Sequence, residues 1–312
     1  MYAGETITEA APQRTTAVSA RIRSRAWISW APLILLPSLV INLRAKLLPW
    51  VFMWTLAAAI FAACKWQTWW EARSTRRAAN HTWGDAAYLL LWPGMEAQEF
   101  FEDAAEKRRI PTKEWLAAMA KTLAGTLLIG AGARVISLGH PLLGGWSGMV
   151  GLALALHFGS FHLLALLWQR AGVRVQPIMQ RPLRSTSLSE LWGKRWNLGF
   201  RKLTHTWVFQ PLTKRFGPVA GTLSAFFASG LLHDAVISIP SKAGYGLPTA
   251  YFLAQGIGVL AERSEIGKRC GLGQGTRGWL WTAVIAAGPL YWLFHPWFVM
   301  RVMVPFLRAV AG

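Results

Sequence analysis

The chain has 312 residues, 53% of them hydrophobic and only 15% charged, with 19 Trp and a mean hydropathy of +0.30. That balance excludes a soluble globular domain and indicates an integral membrane protein, whose indole rings settle at headgroup level. The formal charge of +19 does not signal nucleic acid, because the basic residues fall between apolar runs, as cytoplasmic loops facing anionic lipid and anionic ligands do.

Two cysteines, Cys64 and Cys270, provide neither a disulfide framework nor a metal site, and both read as packing residues. Residues 1–26 are polar, end in Arg21, Arg23 and Arg25, and read as a cytoplasmic tail; residues 27–312 read as one membrane-embedded domain. No small-x-small cleavage site follows the first apolar run, Trp27 to Leu43, so it reads as an uncleaved span made irregular by Pro32 and Pro37. A second span runs from Pro49 to Cys64.

Residues 65 to 114 hold eight Lys/Arg and eight Asp/Glu. Within them MEAQEFFEDAAEKRR has helical spacing and one apolar side, which predicts an amphipathic helix on the membrane surface, although such charge runs usually mark a solvated face. In HTWGD, His81 and Asp85 share a face only if the segment is helical, and Gly84 argues against that.

Spans at Trp115 to Leu138 and Trp146 to Trp168 follow, joined by the uncharged GHPLLGG. They carry Lys121, Arg134, His157, Ser160 and His162, polar groups expected to turn toward a protein-lined interior. His157 is the second choice for a catalytic role, against its reading as an interhelical hydrogen-bonding histidine.

The stretch Gln169 to Phe216 holds ten Lys/Arg against one acid, Glu190, and is the strongest cytoplasmic marker in the chain. Spans at Gly217 to Ile239 and Gly246 to Ala261 come next. The last apolar stretch, Trp279 to Leu307, is broken by Gly288, Pro289, Pro296 and Pro305 into one tilted span or two shorter helices. The expected fold is all-α and polytopic, with seven or eight transmembrane helices plus amphipathic surface helices.

The chemistry gathers between Glu190 and Pro240. In ASGLLHDA, Ser229 and His233 are neighbours on one helical face, while Asp234 points about a quarter-turn away and is no obvious partner for the imidazole. A histidine set deep in an apolar run is a functional candidate, and the neutral imidazole favoured by such surroundings is what a general base needs. Upstream, WGKRWN sets Lys194 and Arg195 between Trp192 and Trp196, with Arg201, Lys202, Lys214 and Arg215 following. Such a surface suits a nucleotide-like anion; the alternative is a loop whose charge does only topological work.

SLSELWGKRWN, then VFQPL, then SGLLHDA, with WLFHP near the end, resembles the wax synthase branch of the membrane-bound O-acyltransferase family over Ser185 to Pro296. That branch shows an S-x-x-x-F-W-x-R-R-W-N-like block followed by S-G-[ILM]-x-H-[ED]; here Leu191, Lys194 and Asp234 depart mildly from it. The resemblance implies acyl transfer from acyl-CoA, a co-substrate with no further cofactor and no metal, to the hydroxyl of a lipophilic alcohol. It implies that His233 is the catalytic histidine and Asn197 its partner.

On that basis His233 takes the alcohol proton as the oxygen attacks the thioester and then returns it to the thiolate. Asn197 holds the carbonyl or oxyanion, Ser229 lines the site, and Trp192, Lys194, Arg195, Trp196 and Arg201 hold the CoA end. The thioester then needs a passage from the Lys194 region to His233. The partners expected are acyl-CoA, the alcohol and membrane lipid, with no nucleic acid and no assignment of oligomeric state. Compactness resembles bacterial members, which implies the bacterial inner membrane. The competing class is a transporter or lipid-binding protein using His157, His162 and His233 as a polar path, and within acyl transfer the acceptor alternatives are a sterol, terpenoid, glycolipid or saccharide.

Overall fold

A computed structural model describes residues 13–73, 81–102 and 109–311, with side chains from residue 28 in the first segment and from 83 in the second. Among the described residues every regular element is helical. Helix α1 (Gln13–Asn42) pairs with α2 (Pro49–Arg73) across a tight Arg44–Lys46 turn, and Pro32 and Pro37 sit inside α1 without ending it. Two smaller helices, α3 (His81–Leu91) and α4 (Ala97–Phe101), pack on the end of α2. HTWGD is therefore helical despite Gly84, and Asp85 accepts a hydrogen bond from Trp69 Nε1 at 2.8 Å. The His81 side chain, the tail arginines and residues 103–108 of the expected surface helix lie outside the described residues.

Helices α5 (Thr112–Ser137) and α6 (Pro141–Arg170) form the tightest pair. Only Leu138, Gly139 and His140 separate them, because Pro141 starts α6 where its missing N–H costs nothing. The two backbones touch at glycines. A methyl on Gly132 would sit 2.7 Å from Gly144 O, and one on Gly151 would sit 2.8 Å from Gly125 O. Small residues at helical spacing allow this approach, which is how helices gain contact where lipid removes the hydrophobic drive. Arg134, expected to face inward, is exposed near the end of α5.

Helix α7 (Leu198–Ser241) is 44 residues long and is broken at Gly217, whose φ of 87° and ψ of 169° are not helical, with Pro218 following. Helix α8 (Leu247–Arg263) returns against it, with Gly230 pressed onto Thr249. Helix α9 (Gly275–Leu293) and helix α10 (Pro296–Ala311) are bent by 54° at a break containing His295. Aliphatic side chains such as Leu35, Leu127, Ile257 and Val284 are more than half exposed, as a lipid-facing surface requires.

Four helices, α2, α5, α6 and α7, are long and apolar enough to cross a bilayer, and five if α9 and α10 count as one bent span. Seven or eight were expected. The difference lies in Ile28–Asn42, which is apolar but short, in α8, which carries Gln255, Glu262 and Arg263, and in the broken α9–α10 pair. Cys64 is buried as expected, but Cys270 is exposed and packs nothing.

Replacing Gly151 by Val pushes α5 and α6 apart. We expect a loss of about 3 kcal/mol, the upper range for overpacking, read as a lower unfolding midpoint in detergent, with Val150→Leu on the exposed face of the same helix unchanged.

Candidate active site

The basic loop before α7 is a folded platform. Ser187 caps the turn Leu188–Glu190 by accepting from Glu190 N at 2.9 Å, and Glu190 Oε2 accepts from Thr186 N at 2.9 Å. That reciprocal arrangement resembles a capping box, and it satisfies backbone donors that a turn leaves open. The donors of Leu188 and Ser189 end on Glu262 of α8, at 2.7 and 2.8 Å, and that carboxylate is buried. Arg263 Nε donates to Ser189 Oγ and Trp279 Nε1 donates to Leu183 O, so α8 and α9 hold the loop from below.

Beyond Glu190 the chain widens into a π-helical turn, Leu191–Arg195, closed by Trp196 N donating to Leu191 O at 2.8 Å. Such widening is frequent at functional sites because it rotates side chains out of register. Arg195 is turned inward: Nε and Nη2 reach Glu190 Oε1 at 2.9 and 2.6 Å, and Nη1 reaches the carbonyls of Gln180 and Arg181. The Thr186 N–H, and then the Arg195 guanidinium, hold the Glu190 carboxyl below the usual carboxylate range, against the opposing effect of burial. Asn197 adopts a left-handed conformation, φ 43°, with its N–H on Met179 Sδ at 3.3 Å. Leu198 N donates to Ile178 O and Gln180 N to Arg195 O, so residues 178–180 run beside 195–198.

On α7, His233 Nδ1 lies 2.7 Å from Ser229 O. A carbonyl oxygen can only accept, so Nδ1 carries the proton and Nε2 presents a free lone pair. The ring is half-buried and rests on Phe252 of α8, centroids 4.4 Å apart. Phe252 in turn meets Trp192 at 5.7 Å, Trp192 meets Trp196 at 6.2 Å, and Trp196 meets Phe158 of α6 at 6.0 Å. Trp192 Nε1 donates to Gln255 Oε1 at 3.4 Å, and Gln255, fully buried, donates to Ile285 O at 2.7 Å. A continuous aromatic wall therefore links WGKRWN to the imidazole.

The structure brings His233, Ser229, Trp192 and Trp196 to that wall. Ser229 Oγ is engaged with Ala225 O at 3.0 Å. Asn197 follows Trp196 directly, and its side chain makes no hydrogen bond among the described residues, to His233 or otherwise. Lys194 is exposed and makes no ion pair among the described residues; Arg201 Nη1 donates to Gly193 O at 2.9 Å. Of the cations expected to hold the donor, Arg195 is paired with an acid, Glu190, and Arg201 with a backbone carbonyl. His157 sits in a π-helical widening of α6 beside Phe158, and His162 accepts from Lys121 Nζ at 3.1 Å, joining α6 to α5.

Asp234 does not orient the imidazole. Its carboxylate collects Ser238 Oγ, Gly246 N, and the N–H and hydroxyl of Thr249, pinning the α7–α8 turn. An open cleft of about 610 Å³ lined by Leu231, Asp234, Tyr245 and Leu253 lies between α7 and α8 but touches neither His233 nor Lys194, so it is not the expected passage. Sequence reasoning missed Phe252, Gln255 and Glu262; an acid closing the otherwise apolar run of α8 was the available signal for the last.

Residues 175–254 match the sequence model of the membrane bound O-acyl transferase family. The match covers about a quarter of the chain, and it is this segment that is similar to the family. Its bounds enclose the platform, Asn197, His233 and Phe252. Probable long-chain-alcohol O-fatty-acyltransferase 2 of Arabidopsis thaliana is 29% identical over 102 residues, 30% of each chain. Long-chain-alcohol O-fatty-acyltransferase of Simmondsia chinensis is 27% identical over 100 residues, 29% of this chain and 28% of its own. Acyl-CoA–sterol O-acyltransferase 1 of Arabidopsis thaliana is 27% identical over 73 residues, 21% of each. The chain thus spans about a third or less of the length of these relatives, and the likeness is to the wax synthase type of O-acyltransferase. All three are plant proteins, and none supports the bacterial inner membrane expected above.

Two outcomes test the platform. Glu262→Ala orphans two buried N–H groups at about 1 to 3 kcal/mol each, and hydrogen exchange is expected to accelerate over residues 186–192 while α5 and α6 stay protected. Because the Glu190 carboxyl is depressed in the folded state, its contribution is complete above the unfolded value near pH ~4.3 and is lost as pH falls through the folded one. Intrinsic-rate-corrected protection of the Thr186 amide should be flat from neutrality to about pH 5 and fall below about pH 4, and Glu190→Gln should remove that step.

Proposed function

We propose that the chain is an acyl-CoA-dependent O-acyltransferase that esterifies a lipophilic alcohol, with His233 as general base and Asn197 as the donor to the reacting carbonyl. The observation that carries the reading is the bond from His233 Nδ1 to Ser229 O, which leaves Nε2 unprotonated and fixed at the aromatic wall. The alcohol O–H gives its proton to Nε2 as its oxygen bonds to the thioester carbon. The carbonyl becomes a tetrahedral oxyanion, to which the Asn197 amide N–H donates. Collapse breaks the C–S bond, and the imidazolium returns its proton to the thiolate, releasing ester and free CoA.

The free Lys194 and the partly free Arg201 supply charge for the phosphates of the donor, and Trp192 and Trp196 supply faces for its base or its chain. Arg195 acts differently from the others, by holding the shape of the loop through Glu190. The long-chain-alcohol relatives favour a fatty alcohol as acceptor, and the sterol-acylating relative makes a sterol the second choice. We further assign Ile28–Asn42 and α8 as bilayer crossings, which gives seven with the bent pair taken as one, in a single membrane domain.

The test is purified protein in detergent with labelled acyl-CoA and a panel of fatty alcohols and sterols. Ester should form with at least one acceptor. His233→Ala should cut turnover about 10²- to 10⁴-fold, the usual worth of a positioned base, and Asn197→Ala about 10²- to 10³-fold, as for a lost oxyanion donor. Undiminished ester formation by the His233 variant would sink the mechanism.

A further inference from the structure

Lys65 is the most deeply placed cation among the described residues: 1% exposed, on the inner side of α2, and in no ion pair with any described carboxylate. Its amino group is nonetheless held. Nζ donates to Gly94 O at 2.6 Å and lies 3.1 Å from the centroid of the Tyr88 ring, while the Tyr88 hydroxyl is 2.7 Å from Thr68 Oγ1 one turn along α2. A buried polar group is stabilised only by such fixed partners, so the geometry of the acceptor is constrained as firmly as that of the donor.

Gly94 belongs to the Pro93–Met95 link between α3 and α4. The Trp92 indole folds over Gly94 so closely that a methyl there would meet Nε1 at 2.4 Å. Met95 is buried with Cys64 of α2 and Leu203 of α7. The other side of the link faces the beginning of α7. A methyl placed on Gly199 would be 3.6 Å from Gly94 Cα, 3.6 Å from Pro93 O and 3.7 Å from Asn197 Oδ1, so the three border one small space. The Asn197 side chain, which has no hydrogen bond of its own among the described residues, shares the small space beside Gly199 with a link that Lys65 holds.

We infer that Lys65 is a positioning residue for acyl transfer, holding the Asn197 amide in place through the Gly94 carbonyl. It touches no reacting atom, and the inference rests on Asn197 serving the transfer as proposed above. Lys65 acts from α2, outside the matched segment 175–254, so it ties the first helical hairpin to the site.

The test is a double-substitution cycle on purified full-length protein with acyl-CoA and the best acceptor. Lys65→Met keeps the bulk and removes the donor. Expected are a turnover number lowered about tenfold, an unchanged KM for acyl-CoA, and less than a twofold further loss when Lys65→Met is added to Asn197→Ala. A purely structural role would instead lower the active fraction and multiply with the Asn197 loss, and that result, or unchanged turnover in Lys65→Met, overturns the inference while leaving the Asn197 reading intact. If Asn197→Ala itself retains full turnover, the proposed site fails and the Lys65 inference with it. Should Lys65→Met not fold, Gly199→Val loads the same joint from α7. It should lower turnover at constant KM and add nothing to Asn197→Ala, and normal turnover in that variant rejects the relay.

Discussion

Two backbone N–H groups, those of Leu188 and Ser189, end on a single buried carboxylate, Glu262, and the position of the whole basic loop follows from it. A loop rich in cations beside apolar helices has no intrinsic reason to fold back, since its charges favour water and its unpaired donors favour any acceptor. One acid on α8, reinforced by Arg263 and Trp279, fixes the turn against the helices. With the turn fixed, Glu190 and Arg195 lock each other, Trp192 drops onto Phe252, and Asn197 is forced into its left-handed conformation at the head of α7. Each step uses the previous one as its floor.

The imidazole obeys a second, local constraint. A helix carbonyl four residues back occupies one ring nitrogen, which decides the tautomer without any carboxylate, and the acid that follows His233 in sequence is fully employed elsewhere. The ring therefore needs no charged orienting partner in an apolar setting, where a second ionised group is expensive. Phe252 lies against the ring at a tilt of 42°, so the imidazole is oriented by one hydrogen bond and one tilted ring contact.

Much of this is legible in the sequence, for physical reasons specific to each residue. His233 stands out because hydropathy makes any ionisable residue in an apolar run conspicuous, and Trp192 and Trp196 because indoles beside cations suit an interface. The independence of Asp234 from His233 follows from helical geometry, and the structure gives that acid its work in the α7–α8 turn. Arg195 reads as a free cation because its partner, Glu190, five residues earlier, is invisible to spacing rules once the helix widens into a π turn. Gly84 reads as a breaker, yet α3 carries it because packing against α2 outweighs a cost of about 1 kcal/mol. Fewer helices than the seven or eight expected are long and apolar enough to cross a bilayer, because hydropathy reads apolar runs whatever their helix length: Ile28–Asn42 and α8 are short, and α8 carries Gln255 and Glu262. Lys65 escapes notice because sequence places it at the edge of a charged segment, and only the fold shows that α2 continues past it to Arg73.

The break at Gly217 has a geometrical consequence for the chemistry. Asn197 caps the head of α7 and His233 lies deep within it, 36 positions further along the chain. Were α7 straight, its rise of 1.5 Å per residue would separate them by roughly 54 Å, further than a bilayer's hydrocarbon is thick. Folding the rod at a glycine converts that length into two arms meeting at an elbow, and three ring contacts then suffice to connect the ends. The separation of Asn197 from His233 is thus set at one positive-φ residue, and stiffening that elbow would fix how near the two arms come.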